Sequence, residues 1–315
     1  MAAPFRIGLA GAGRMGRTHL RALADCESVR VVAVAEPAAR VREGIAALGL
    51  PAYSSVAGMM DAGGLDGVLI AAPSDQHPVV VAEVAARGLP ILCEKPCGLT
   101  SAQARHAAEA AAAAGVVLQV AYWRRYVSAL RTLRERILDG SFGDVHLVCC
   151  YQWDERPPSR EFRAHSGGIA IDMGVHEFDQ LRWLTGQEFV TVAAASPPPV
   201  TGAGLPPDVD SAQILVRLSG GTVGFVSLGR FHPPGDMASA EVFGAKCRAR
   251  CDFLDPAQGE RAQLEALRAQ AEGFAAYAGG GKRTGASAAD AVAALAAAEQ
   301  ANAAIPALAG AAARP

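Results

Sequence analysis

FRIGLAGAGRMG, from Phe5 to Gly16, sets the architecture of the amino-terminal half. Phe5–Ala10 is a short apolar run that reads as a strand, and a G-x-G-x-x-G fingerprint follows at once, opening a helical pattern over Met15–Ala24. Taken alone, the fingerprint is a glycine-rich strand-to-helix turn. Between a strand and a helix, its glycines Gly11, Gly13 and Gly16 allow a tight turn, close backbone approach to a pyrophosphate, and tight helix–strand packing. The helix start, with Arg14 and Met15, offers N–H groups without intrahelical partners to the anion.

Glu36 closes the second apolar run, 20 residues after Gly16, where a carboxylate can accept both ribose hydroxyls of an adenosine. This predicts NAD as cofactor. Arg14 and Arg40 lie near the adenosine end in sequence and keep NADP open as an alternative.

The same rhythm continues. Val29–Ala35, Gly67–Ala71, Pro90–Cys93 and Val116–Val120 are apolar runs alternating with helical patterns, as in a parallel sheet covered on both faces. Thr100 and Gln103 form a capping box ahead of an alanine-rich helix that ends at Gly115. After Tyr126 a helix over Val127–Asp139 leads to Val145–Gln152. Then Phe189–Ala195, Ser211–Leu218, Thr222–Leu228 and Ala240–Asp252 follow with no helix between them, the sign of a largely antiparallel sheet. Helices return over Arg261–Tyr277 and Ala288–Ala304. The expected fold is α/β: a doubly wound Rossmann domain over 1–122, an α+β domain over 123–290, and a carboxyl-terminal helix over 291–315 packing back on the first.

Composition narrows the function classes. Twenty-nine Lys+Arg against 31 Asp+Glu give a net charge of −2, which offers no electrostatic footprint for nucleic acid. With 51% hydrophobic and 19% charged residues the 315-residue chain can bury a core, and its length suits two domains. No run is apolar enough to span a membrane, since Glu109, Gly115 and Gln119 break the alanine-rich stretch. The amino end runs from Phe5–Ala10 into glycines rather than a signal-peptide core, so a cytoplasmic protein is expected. Seven cysteines without zinc or C-x-x-C spacing predict buried free thiols. Ser196–Pro207 reads as a surface loop, and Gly279–Thr284, lacking a strand before it and the Ser/Thr after Lys282, as a turn between helices.

Two further clusters carry candidate chemistry. Glu94-Lys95-Pro96 stands at the carboxyl end of the Pro90–Cys93 strand, where doubly wound sheets bind ligands. The proline stiffens the turn, and Lys95 is either presented to a crevice or a solvated lysine. Downstream of Gly167-Gly168, Asp172 and His176 are i and i+4 if the segment is helical. A carboxylate there can orient an imidazole and support its protonated form, as a general base requires. A capping aspartate and a satisfied interface histidine fit the same pattern. Pro73 and His77 follow the fourth strand and border the cofactor, with a helix-start surface residue the other reading of His77. Arg124 and Tyr126 follow the sixth strand and can face a polyhydroxylated ligand, while Arg125 reads as a solvated side chain. Asp154, Arg156, Arg163 and His165 form a polar loop that could read hydroxyls.

The fingerprint, Glu94-Lys95-Pro96, Trp123-Arg124-Arg125-Tyr126, and Gly167-Gly168 through Asp172, His176 and Asp179 occur in the order that resembles the Gfo/Idh/MocA family over nearly the whole chain, its inositol dehydrogenases above all. The resemblance implies an open sheet in the second domain used for homodimer or homotetramer contacts. It also implies that Lys95 is the lysine of the family's E-K-P motif, with Glu94 beside the cofactor, and that Asp172 and His176 are its acid and base. The implied reaction is oxidation of a secondary alcohol of an inositol-like polyol to a ketone. Lys95, Arg124, Tyr126, Asp172 and His176 would touch the substrate, and no metal is needed. An aldose or keto-sugar substrate, a dinucleotide- or sugar-sensing binder without turnover, and a sugar isomerase with metal on Asp172, His176, Asp179 and His165 are the competing readings.

Overall fold

The computed structural model describes residues 3–197, 208–257 and 260–311. In chain order its elements are β1 (Phe5–Ala10), α1 (Arg14–Leu23), β2 (Val29–Ala35), α2 (Ala39–Ala46), β3 (Ala52–Tyr53), α3 (Val56–Asp61), β4 (Gly67–Ile70), α4 (His77–Ala85), β5 (Ile91–Glu94), α5 (Ser101–Ala113), β6 (Leu118–Ala121), α6 (Ser128–Leu138), β7 (Val145–Trp153), α7 (Arg160–His165), α8 (Val175–Thr185), β8 (Phe189–Ala195), β9 (Ser211–Leu218), β10 (Val223–Gly229), β11 (Met237–Gly244), β12 (Arg248–Leu254), α9 (Arg261–Ala278), β13 (Ala286–Ser287) and α10 (Ala288–Ala311). The chain forms two compact units, Met1–Tyr126 with Leu264–Val292, and Val127–Gln263 with Ala293–Pro315.

The first unit is the doubly wound domain. Its strands lie in the order β13-β6-β5-β4-β1-β2-β3. All pair in parallel except β13, whose Ala286 and Ser287 run antiparallel to Val120 and Gln119. Strands buried on both faces need apolar residues at every position, which is why β1, β4 and β5 read as continuous runs. Ile7, Leu9, Val29, Val34, Leu69 and Leu92 form the centre of this core, and each is fully buried. Thr100 caps α5 by accepting from Gln103 N at 3.1 Å, and Gln103 returns its side chain to Leu99 N at 2.7 Å. That second bond goes one residue earlier than the capping box predicts.

The unit boundaries differ from the division read in the sequence. Residues 264–292 belong to the first unit, because α9 turns Ala271 and Phe274 into the strand core and Phe274 meets Phe5 edge to face at 5.8 Å. Arg268 donates to Ala22 O at 3.0 Å, and Glu272 accepts from Ser28 Oγ at 3.0 Å. Apolar periodicity reveals that α9 has a face to bury, but not which sheet receives it. From Ala293 onward α10 belongs to the second unit, where Asn302 Nδ2 donates to Gly167 O at 2.8 Å. The two-residue β3 carries too little pattern to be read in advance.

The second unit holds a six-stranded sheet in the order β12-β11-β7-β10-β9-β8. It is antiparallel except for the β7–β10 pair at its centre. Ala240–Asp252, expected as one strand, is two: β11 and β12 form a hairpin turning at Ala245-Lys246-Cys247. The turn lacks the Asn-Gly or Asp-Gly signal of tight hairpins. It is held instead by Ala245 N to Asp144 O and Lys246 N to Phe142 O, both 2.9 Å.

The segment read as one helix from Ile169 onward also divides, into a π-type turn over Ala170–Gly174 and then α8. Val175, Phe178, Leu181 and Leu184 of α8 are fully buried. Of the expected Ser196–Pro207 loop, residues 198–207 lie outside the described residues. All seven cysteines are free, five of them buried. Among the described residues no helix is long and apolar enough to cross a membrane.

Candidate active site

In the first unit the carboxyl ends of β1, β4 and β5 are tied together by close packing and buried hydrogen bonds. β1 delivers the chain to Gly11, whose φ of +97° is a left-handed value that suits glycine. A Cβ there would lie 2.6 Å from Ala71 O, so Gly11 lets the turn press against the end of β4. A Cβ on Gly16 would lie 2.1 Å from Gly11 O, so Gly16 lets α1 pack against the turn. Gly13 is different: a Cβ there would meet nothing within 4 Å. It caps α1 with an extended backbone and no side chain, leaving space in front of the helix's first amides. The three glycines thus divide into two that pack and one that keeps an approach open, an arrangement that fits a pyrophosphate at the helix end. Arg14 is exposed beside it and Met15 half-buried.

Glu36, just beyond β2, is half-buried. Its Oε2 accepts from Ala12 N and its Oε1 from Ala38 N, both at 2.9 Å, so the carboxylate staples the fingerprint loop to the end of the second strand. Each oxygen retains a further lone pair, the acceptor capacity a ribose diol requires.

At the end of β5, Glu94 is 3% exposed, and Lys95 is half-buried between it and the buried Pro96. The Lys95-Pro96 peptide is cis. Glu94 Oε1 lies 2.6 Å from Nε2 of the fully buried His19 on α1, and its Oε2 accepts from Lys95 N at 3.1 Å. Burial alone would raise the Glu94 pKa, but the bond and charge of His19, helped by Lys95, overcome it and hold the carboxyl below its ordinary range.

His77, expected at the border of the cofactor, is 1% exposed, with Nδ1 2.7 Å from Pro96 O and Nε2 2.8 Å from Ala72 O. It therefore sits between the residue that follows Lys95 and the segment against which Gly11 packs; the neutral ring donates its one N–H to one of these carbonyls, and only the imidazolium would donate to both. Burial lowers its pKa and outweighs the two carbonyls and Glu94, which raise it. Pro73 is exposed on the adjoining turn.

The turn Trp123–Tyr126 after β6 is buried throughout. Arg125, expected on a solvated face, is instead 7% exposed and 3.4 Å from Asp290, an acid supplied by the start of α10. Sequence distance hid that partner. Arg124 is 3% exposed. Tyr126 OH is engaged by Thr284 Oγ1 at 3.1 Å and Gln119 Nε2 at 3.4 Å.

In the second unit Asp172 stands in the π-type turn and His176, 7% exposed, in the first turn of α8. Asp172 Oδ2 accepts from Nη1 of Arg230 at 3.0 Å, and Arg230 is fully buried at the end of β10. Arg230 Nη2 also reaches Asp208 Oδ1 at 3.2 Å, Asp208 accepts from Arg163 Nε, and Arg163 Nη1 reaches Asp210 Oδ1 at 3.0 Å. The expected polar loop therefore separates: Arg163 is a buried member of this charge chain, while Arg156 is exposed and pairs with its neighbour Glu155. Asp154 accepts from Gln152 Nε2 at 3.2 Å, and burial raises its pKa, with Asp236 and Asp172 adding to the rise against Gln152 and Arg230.

Sequence reasoning missed His19, Arg230, Asp208 and Asp210. His19 carries a signal in hindsight, a polar side chain on the same buried stripe of α1 as Gly16 and Leu23. Arg230 is the charge that closes an apolar strand. Among the described residues no group of three or more His, Cys, Asp or Glu side chains is arranged to hold a metal ion.

Residues 5–122 match the family described as "Oxidoreductase family, NAD-binding Rossmann fold", and residues 130–250 match the GFO/IDH/MocA C-terminal domain. The rhizopine catabolism protein MocA of Rhizobium meliloti is 51% identical over 298 residues, 95% of this chain and 94% of that protein. The inositol 2-dehydrogenase of Rhizobium meliloti strain 1021 is 31% identical over 242 residues, 76% of this chain and 73% of that protein. Among solved structures, a protein of Sinorhizobium meliloti 1021 provisionally named a myo-inositol dehydrogenase superposes with a TM-score of 0.89 at 29% identity, covering 96% of this chain and 97% of that one. The chain belongs to the Gfo/Idh/MocA family, as an oxidoreductase acting on CH–OH groups whose first domain is an NAD-binding Rossmann fold.

Proposed function

We propose that the protein oxidises a secondary alcohol of a cyclic, inositol-like polyol to the ketone. The single observation that carries this reading is the half-buried Lys95 on a turn that buried hydrogen bonds tie to the fingerprint side of the sheet. Gly11, Gly13, Arg14, Met15, Gly16, Glu36, Pro73, His77, Glu94 and Lys95 form the cofactor side. NAD held there would supply the hydride acceptor for the carbinol hydrogen.

His176 takes the hydroxyl proton, Asp172 supports the imidazolium that results, and Lys95 donates to the oxygen as charge develops on it. Arg124 and Tyr126 contribute to the polyol's surroundings. The proton leaves with His176 and the electron pair with the hydride, so the carbon–oxygen bond becomes double with no other reactant.

The second unit also favours self-association. Leu215, 53% exposed on β9, lies across from Ala193 of β8 and Phe225 of β10, and Phe225 forms a half-buried aromatic pair with Tyr151 of β7. An apolar sheet face of this kind suits a second copy of the chain, giving a homodimer or homotetramer. Sedimentation as a monomer at micromolar concentration would remove that element.

The test of the reaction is NADH absorbance with a panel of inositols, a rhizopine and aldoses, with and without chelator. Turnover with a cyclic polyol that is indifferent to chelator is expected. Turnover confined to aldoses, or product formed without nicotinamide, would replace this reading.

A further inference from the structure

We propose that His19 and His77 are positioning residues for Lys95, each holding one of the residues that flank it and together fixing the direction from which its ammonium is presented. The inference rests on the reading of Lys95 as the group that holds the reacting oxygen; it gives His19 a role which that reading lacks, and His77 one beyond bordering the cofactor.

Lys95 has a buried residue on each side, and each is held by a histidine from a different helix. On one side, His19 of α1 is fully buried with Nε2 2.6 Å from Glu94 Oε1, while the other oxygen of Glu94 accepts from the backbone N–H of Lys95 at 3.1 Å. Glu94 is thus caught between a histidine and the lysine's own main chain. On the other side, His77 of α4 sets Nδ1 2.7 Å from Pro96 O and Nε2 2.8 Å from Ala72 O.

An apolar side chain in either place would fill the space without desolvating an imidazole, which costs free energy unless its hydrogen bonds are made. What the histidines add is direction: a hydrogen bond fixes Glu94 and Pro96 in angle as well as distance. They also set the charges around the lysine. Glu94 and His77 both interact electrostatically with Lys95. His19 bonds Glu94 and favours its anion, so the ammonium has a fixed carboxylate beside it. His19 further joins α1, whose first turn carries the end of the fingerprint, to the turn that carries the lysine. Displacement of a positioned group by about 1 Å is enough to cost roughly a hundredfold in rate.

The sequence supplies an unusual readout. The chain has only three lysines, Lys95, Lys246 and Lys282, and the latter two are exposed. Trace acylation of the full-length protein across a pH series, read peptide by peptide by mass spectrometry, reports the reactivity of Lys95 with two internal controls and without any substrate. His19→Ala and His77→Ala are each expected to change the Lys95 rate several-fold and move its pH profile, leaving Lys246 and Lys282 as in the parent. His19→Gln, which keeps a donor for Glu94, should return the profile toward the parent's and serves as well where the alanine variant does not fold. With substrate, kcat of His19→Ala should fall about tenfold or more while KM for NAD stays within about threefold.

An unchanged Lys95 profile in both alanine variants overturns the proposal. So does a common change at all three lysines, which would make the histidines general supports of the fold. Absence of turnover in the parent protein with every polyol would sink the functional reading alone, because the labelling result does not depend on it.

Discussion

Arg230, with no solvent exposure, spans Asp172 and Asp208 with two of its nitrogens, 3.0 and 3.2 Å from their carboxylates. Asp208 and Asp210 in turn receive Arg163, so charges alternate along a buried chain that ends at the acid read as part of the reaction. Removing one member of a buried charge network strands its partners, at about 3–5 kcal/mol. Arg230→Met should therefore lower unfolding free energy by about that much in urea titration. Arg230→Lys, which keeps the charge but loses the fork, should cost less. An Arg230→Met protein as stable as the parent would show that the chain of charges does not hold this part of the second unit.

The three fingerprint glycines separate folding from binding. Gly13→Ala adds a methyl group into open space at an ordinary helix-cap conformation, so stability should stay within about 0.5 kcal/mol of the parent while NAD affinity falls about tenfold. Gly11→Ala places a Cβ against Ala71 O at a positive φ and should lose stability by about 1–3 kcal/mol. Calorimetry of unfolding and of NAD binding on the two variants distinguishes these outcomes. Equal affinity in Gly13→Ala and the parent would remove Gly13 from the cofactor's approach.

Much of the first unit could be read directly because parallel strands buried on both faces leave unbroken apolar runs, and because the fingerprint is local in sequence. The boundaries of β1 and β2 coincide with their runs. What escaped depended on partners far along the chain. Arg125 reads as a surface charge until Asp290, from the start of α10, arrives beside it, and His19 is unremarkable until Glu94 closes on it 75 residues later. The β11–β12 hairpin escaped for a different reason: main-chain bonds to Phe142 and Asp144 hold its turn in place of turn-forming residues. Of the candidate site, residue types and spacings were legible, whereas the buried groups that orient them were not, since a hydrogen bond between distant segments leaves no periodicity.

Glu36 has a structural and a recognition role, and one substitution reports on both. Its carboxylate accepts from Ala12 N on one oxygen and from Ala38 N on the other, so Glu36→Gln keeps an acceptor for only one of those amides while removing the charge that disfavours a 2′-phosphate. The ratio of kcat/KM for NAD over NADP should fall about tenfold or more, with a stability loss of about 1–3 kcal/mol from the amide left without its acceptor. An unchanged ratio would place discrimination elsewhere, with the exposed Arg14 or Arg40 next to be examined.

His77 couples the lysine-bearing turn to pH. Burial lowers its pKa below the ordinary 6.5, so as pH falls the unfolded chain takes the proton before the folded one does. Its contribution to stability is complete above about pH 6.5 and is lost as pH falls through the folded value. Unfolding free energy should accordingly drop as pH falls below about 6.5, and His77→Gln should flatten that part of the profile. A parent profile that stays level there would contradict the assignment.

Asp154 works with the opposite sign, in the other unit. Its pKa is raised, by burial first and then by Asp236 and Asp172, against Gln152 and Arg230, which lower it. The carboxyl is favourable when protonated, below its ordinary 3.8, and that contribution is lost as pH rises through the folded value, leaving a partly buried anion near two other acids at neutral pH. Asp154→Asn keeps the shape and the hydrogen bond from Gln152 in an amide that carries no charge. It should raise the melting temperature at pH 7 and leave it unchanged near pH 3. If Asp154 also reads a substrate hydroxyl, the same variant should raise KM for the polyol more than KM for NAD, trading recognition for stability. A variant less stable than the parent at pH 7 would show that the anion has compensating partners and is not a strained group.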